Sequence, residues 1–235
     1  MSVTKTSAAN TKGQISGPSN CWKCGAPSAG AHFCPSCGKI QPLPQDADYF
    51  GFFGWPRKLA IDPSKLEEQF HKLSWKLHPD NFVSASEEER DLSLERSSQL
   101  NDAYRTLRDP IGRIEYLLLQ LGLRKEGATK QQAPPELLEE VFDLNESLDE
   151  LREARAEGGD VAGLRARLLE AQRNFAEKLG GVDEELTAIA REWDAALDAN
   201  GNDEQRRKFL ARMNEILNRR SYIRNLVASV QKELE

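Results

Sequence analysis

The stretch Leu66-Glu67-Glu68-Gln69-Phe70-His71-Lys72-Leu73-Ser74-Trp75-Lys76-Leu77-His78-Pro79-Asp80 decides the fold of the region around it. Leu66, Phe70, Leu73 and Leu77 recur at spacings of four, three and four, which lines one face of an α-helix. Asp62-Pro63 opens that helix with an N-cap and a proline at its first position, where no amide donor is needed. The helix must stop at His78, because Pro79 drives the preceding residue out of the α region. Downstream, Ser84 and Glu87 have the spacing of a capping box, and Leu92, Leu100, Ala103 and Leu107 follow in a helical stretch. Two antiparallel helices joined by a stiff turn that displays His78, Pro79 and Asp80 are therefore expected. The bland reading of that turn is a loop histidine and an N-terminal cap. As an acid/base pair the two side chains have no nucleophile near them in sequence.

With that context the hairpin resembles a J domain, the module by which a co-chaperone engages a heat-shock-seventy-type ATPase chaperone. Leu100-Asn101-Asp102-Ala103-Tyr104-Arg105-Thr106-Leu107 reads like the end of the third J-domain helix, and Asp109-Pro110 caps a fourth, striped by Ile111, Ile114, Leu118 and Leu121. Asp48-Tyr49-Phe50-Gly51-Phe52-Phe53 supplies a short aromatic first helix. Asn81 departs from the pattern, since many J domains carry Lys or Arg after the triplet. Lys72 and Lys76, with His71, lie off the apolar face and point outward together. A charged face of this kind is usually solvation. The resemblance implies that Lys72 and Lys76 steer an acidic partner toward His78, Pro79 and Asp80.

All four cysteines fall in one N-terminal segment, as Cys21-x-x-Cys24 and Cys34-x-x-Cys37, with Gly25 and Gly38 after the second cysteine of each pair. Two intervening residues let both sulfurs reach one ion, and clustered thiols argue for a metal site in a reducing compartment. A structural, tetrahedral Zn²⁺ site is expected, with iron as a rubredoxin-like alternative and a reactive dithiol as the lesser reading. His32 reads as a surface residue and Gln41-Pro42-Leu43-Pro44-Gln45 as a short stiff linker.

The chain has 235 residues, a net charge of −6 and no apolar run long enough to span a bilayer, so neither nucleic acid nor membrane is an expected partner. Residues 1–20 are rich in Ser, Thr, Ala and Gly and hold no acid, which suits a disordered tail or a targeting segment. Beyond Pro134-Pro135 the pattern is helical almost to the end. Leu137, Val141, Leu144, Leu148 and Leu151 stripe a first helix, which Gly158-Gly159 terminates. Val161 to Leu197 stripe a second, with a kink or break allowed at Gly180-Gly181, and Phe209 to Leu234 a third. The expected fold is all-α: a four-cysteine, zinc-ribbon-like module at 21–40, a J-domain hairpin at 46–122 and an antiparallel three-helix bundle at 134–235. Leu138 and Phe142 make a second small apolar patch beside the main stripe, with Asp143, Glu146 and Glu150 along it. A wide core stripe with a solvated acidic face would look the same.

Taken in order, Cys-Trp-Lys-Cys-Gly, Phe-Cys-Pro-Ser-Cys, Asp-Tyr-Phe, the hairpin and the bundle are similar to iron–sulfur cluster co-chaperones of the HscB type, in the eukaryotic form with an N-terminal cysteine domain. The likeness runs from about Cys21 onward. It implies a non-enzymatic adaptor whose bundle holds the cluster scaffold protein through Leu138, Phe142, Asp143, Glu146 and Glu150. It also implies stimulation of a dedicated heat-shock-seventy-type chaperone. The expected location is the mitochondrial matrix, with the cytosol as alternative because residues 1–20 make a weak presequence, and self-association is left open. Glu139 departs from the family's usual apolar residue, and a last-helix contact falls on Ile216 or Leu217. The rival is a general protein-folding J-domain co-chaperone with a metal-stabilised accessory domain.

Overall fold

Helix boundaries follow the capping chemistry closely. The computed structural model describes residues 20–28, 30–42, 47–124, 134–159, 161–199 and 201–235. Residues 1–19 of the tail or targeting segment expected at 1–20, and Leu43, Pro44 and Gln45 of the expected linker, lie outside the described residues. Helix α1 (Tyr49–Phe52) is capped by Asp48, whose carboxylate accepts from the Gly51 amide. Helix α2 (Pro63–Leu77) is capped by Asp62 and begins at Pro63. Helix α3 (Glu87–Arg108) starts from Ser86, which accepts from the Glu89 amide, and not from Ser84. The Ser-x-x-Glu spacing occurs twice, at Ser84/Glu87 and Ser86/Glu89. Three acids at 87–89 now lie in the first turn, where they complement the positive end of the helix dipole. Helix α4 (Pro110–Gln120) is capped by Asp109.

Helices α2 and α3 run antiparallel. The end of α2 meets the start of α3 through Leu77 and Ser93, and mid-α2 meets late α3 where Phe70 stacks on Tyr104 at 4.1 Å. Leu66, Leu77, Leu100, Ala103, Leu107, Ile114 and Leu118 are buried, as the apolar stripes require. Tyr49 stacks on Tyr116 at 4.3 Å and donates its amide to the Tyr116 hydroxyl, which fastens α1 to α4.

The bundle helices are α5 (Leu138–Glu157), α6 (Ala162–Asp198) and α7 (Asp203–Leu234). Glu140 meets Lys178 and Glu150 meets Arg167, so α5 and α6 are antiparallel. Asp183 meets Arg220 and Gln172 meets Gln231, so α7 runs back along α6. Helix α6 passes through Gly180-Gly181 without interruption, so the middle helix is not broken there. Two glycines cost about 1 kcal/mol each against alanine. Phe175, Val182 and Leu186 are buried on either side and hold the turn.

Among the described residues, those up to Leu121 together with 193–199 form one compact unit, and those of 122–192 with 201–235 form a second. The first unit thus takes in the cysteine module and the last turns of α6. There the Asp194 carboxylate accepts from the amides of Leu59 and Ala60, each at 2.7 Å, and Trp193 Nε1 donates to the Arg57 carbonyl. Among the described residues, no helix is long and apolar enough to cross a membrane.

Candidate functional site

The turn after α2 is built by Pro79. His78 is extended (φ −58°, ψ 130°), and Pro79–Phe82 form a single 3₁₀ turn anchored by the buried Phe82. The Asp80 amide donates to His78 Nδ1 at 3.3 Å, and Asp80 Oδ2 lies 3.4 Å from the same nitrogen. The His78 side chain is 54% exposed and that of Asp80 84%, so both are displayed to solvent. Lys76 is exposed one turn before them. Lys72 is exposed too, but its ammonium is 2.6 Å from Glu68, and such surface pairs are worth little. Trp75, absent from the sequence expectations, is 79% exposed on the same turn of helix. The signal was there: Trp75 falls off the Leu66–Leu77 stripe.

In the cysteine module each knuckle closes by the same bonds. Gly25 N–H donates to the Cys21 carbonyl and Gly38 N–H to the Cys34 carbonyl, and both glycines sit at φ +71°, which explains glycine at these two positions. Lys23 N–H points at Cys21 Sγ (3.3 Å) and Ser36 N–H at Cys34 Sγ (3.4 Å). The four ligand atoms lie within 4.8 Å of one another, with 3.7 Å between Cys21 and Cys37 and between Cys24 and Cys34. Tetrahedral Zn–S bonds of about 2.3 Å require S···S edges of about 3.8 Å, whereas a disulfide needs about 2.0 Å. The sulfurs therefore fit a tetrahedral metal, and none of the four is joined in a disulfide. Burial raises the Cys21 thiol, but the amides of Cys24 and Lys23 outweigh it and bring the group down to about 6. At Cys37 the Lys39 amide pulls down, while burial and the neighbouring sulfurs prevail and push it up to about 12. Four sulfurs this close do not ionise together unless a cation sits among them.

His32 is not a surface residue. Its Nε2 donates to the Phe52 carbonyl at 2.9 Å, and its Nδ1 accepts from Arg96. Burial first, and the Arg96 cation second, lower the ring to about 4, which keeps it neutral. Arg96 Nη1 donates to the Gln41 carbonyl at 2.8 Å, and Lys39 reaches Glu89 of α3 at 2.9 Å. Gln41 is buried and its amide nitrogen reaches Cys21 Sγ at 3.3 Å, so this residue belongs to the docked module and not to a linker.

On α5 the alternatives for Leu138 and Phe142 separate. Leu144, Leu148 and Leu151 are buried, whereas Leu138 is 54% and Phe142 70% exposed, so these two are not core residues. Asp143 and Glu146 are exposed beside them, and Glu150 is half-buried against Arg167 of α6. Ile216 and Leu217 are both buried, so neither is displayed on α7.

A helical hairpin that displays His-Pro-Asp at its turn has the build of a J-type co-chaperone. No protein-family model matches the chain. An HscB co-chaperone homologue of Vibrio vulnificus (strain YJ016) is 35% identical over 170 residues, 72% of this chain and 94% of that protein. The iron–sulfur cluster co-chaperone HscB of Mus musculus is 32% identical over 169 residues, 70% of each chain. The crystal structure of human co-chaperone HscB superposes with a TM-score of 0.61 at 25% identity, covering 91% of this chain and 98% of that one. The chain belongs to the HscB co-chaperone family.

Proposed function

We propose that this protein serves iron–sulfur cluster biogenesis: it holds the cluster scaffold protein on α5 and presents His78-Pro79-Asp80 to a heat-shock-seventy-type chaperone whose ATPase it stimulates. The observation that carries the reading is the exposure of Leu138 and Phe142 on a helix whose Leu144, Leu148 and Leu151 are buried, in a chain that also displays the tripeptide. The name of the mouse relative supports the cluster assignment. Leu138 and Phe142 are the apolar anchors. Asp143 and Glu146 form the acidic rim, and Glu150 mainly ties α5 to Arg167. Asp80 accepts charge-assisted hydrogen bonds from a chaperone arginine, and Lys72 and Lys76 set the approach. Stimulation is allosteric: the co-chaperone binds one chaperone conformation in preference and shifts its population. Zn²⁺ in the cysteine module is structural, and a mitochondrial matrix location suits the acid-poor N-terminal segment.

Single-turnover ATP hydrolysis by the purified chaperone tests the turn. His78→Gln and Asp80→Asn should abolish stimulation with circular dichroism unchanged, and a variant that stimulates like wild type would refute the assignment. Calorimetry with the scaffold tests the patch. Truncating a buried hot spot costs roughly 2 kcal/mol or more, so Leu138→Ala with Phe142→Ala should weaken binding severely. Because both residues are exposed, melting should not change.

A further inference from the structure

The carbonyl of Leu77, the last residue of α2, accepts two hydroxyl hydrogen bonds from α3: Ser93 Oγ at 2.7 Å and Ser97 Oγ at 2.9 Å. Ser93 is fully buried, and the two serines sit one turn apart on the face that meets α2. A helix C-terminus leaves its last four carbonyls without intrahelical partners, and Pro79 has no amide to offer any of them. Asn81 satisfies two more acceptors around the same turn. Its side-chain nitrogen donates to the Trp75 carbonyl at 2.6 Å, and its backbone N–H donates to the His78 carbonyl at 3.0 Å. The carbonyls of Trp75, Leu77 and His78 are thus each pinned, two by Asn81 and one by α3.

We propose that Ser93, Ser97 and Asn81 are positioning residues for His78-Pro79-Asp80, holding the direction in which the turn leaves α2. The proposal rests on the reading that this turn engages the chaperone. Serine is a poor choice inside a helix because its hydroxyl competes for backbone groups. Here two such hydroxyls converge on one carbonyl of the neighbouring helix, immediately before the displayed tripeptide. Asn81, where a basic residue is usual, exchanges a charge for a cap, since a short amide reaches back to α2. A loosened turn would spend only a fraction of its time in the binding-competent arrangement, and apparent affinity falls by that fraction. The effect therefore belongs to the half-saturating concentration and not to maximal stimulation.

The test titrates full-length protein into the chaperone ATPase assay, beside amide hydrogen exchange of residues 78–82. Ser93→Ala/Ser97→Ala and Asn81→Ala should each raise the half-saturating concentration at least about threefold, with maximal stimulation kept. Exchange at the Asn81 amide should accelerate in the serine double variant. Ser97→Thr, which keeps a hydroxyl, should behave as wild type. Wild-type half-saturation in the double variant and in Asn81→Ala would overturn the proposal, as would loss of affinity in Ser97→Thr equal to that in Ser97→Ala. If the double variant does not fold, Ser97→Ala and Asn81→Ala decide by the same criteria. Should His78→Gln stimulate as well as wild type, the chaperone reading has failed. Exchange then decides positioning alone, and an unchanged Asn81 amide overturns it.

Discussion

Arg96 is 1% exposed, and its guanidinium donates to the Gln41 carbonyl and to His32 Nδ1 while lying 5.3 Å from the centre of the Phe52 ring. Burial lowers it to about 10, so it stays charged at neutral pH. Arg96→Ala would leave the buried Gln41 carbonyl and the half-buried His32 Nδ1 without this donor, and each such loss costs about 1–3 kcal/mol. Chemical denaturation should show a loss of about 2–5 kcal/mol. A loss below about 0.5 kcal/mol, the size of an ordinary surface change, would show that the contact is not stabilising. Arg96→Lys keeps the charge but not the fork, and should recover only part. A trace of this role is visible in the chain itself, because Arg96 lies midway between Leu92 and Leu100 at spacings of four, on the apolar stripe. What covers that stripe there, His32 and Gln41, is more than fifty residues away and has no local signature.

At the scale of elements, the cysteine module and α6 give opposite lessons. Cys-x-x-Cys twice, each followed by glycine, specifies its own local geometry, and the four sulfurs meet as the spacing requires. Its docking on α3 through Lys39, His32 and Gln41 changes what metal loss should do. Cys21→Ser with Cys24→Ser should drop bound metal from about one ion per chain to none. It should also lower the melting temperature of the helices that Arg96 and Glu89 belong to, because metal-binding energy supports whatever folds onto the site. Metal loss with unchanged helical melting would show that the contacts add nothing. For α6, a Cβ at Gly180 or Gly181 meets no atom within 4 Å, and the backbone there is helical. Gly180→Ala and Gly181→Ala should each stabilise by about 0.4–1 kcal/mol through loss of unfolded-chain freedom. A fall in denaturation midpoint for either would mean that the glycine serves something other than the helix.

Across the whole molecule, the unit that carries His78-Pro79-Asp80 is not one stretch of sequence. Its 57–60 segment is held by Trp193, Asp194 and Asp198, with Lys58 2.7 Å from Asp198 and Arg113 donating to the Leu59 carbonyl. Asp194→Ala would strip two amides of their acceptor, and thermal melts should show a cost of about 2–4 kcal/mol. A chain ending at residue 122 should melt below the same helices in the full protein, and equal melting would refute the dependence. The helices, their caps at Asp62 and Asp109, the thiolate set and the displayed tripeptide follow from the sequence alone, because each depends on neighbours within a turn or two of chain. Only the tertiary structure decided that Ser86 and not Ser84 begins α3, and that α6 runs unbroken. It alone showed that His32 is half-buried against Phe52 and Arg96, that Leu138 and Phe142 face solvent, and that Asp194 completes a unit begun more than a hundred residues earlier. The choice between Ser84 and Ser86 lies between two equal local spacings, whereas the settings of His32 and Asp194 turn on partners brought together from distant positions, and a local pattern of polar and apolar residues carries no information about which distant surface will cover it.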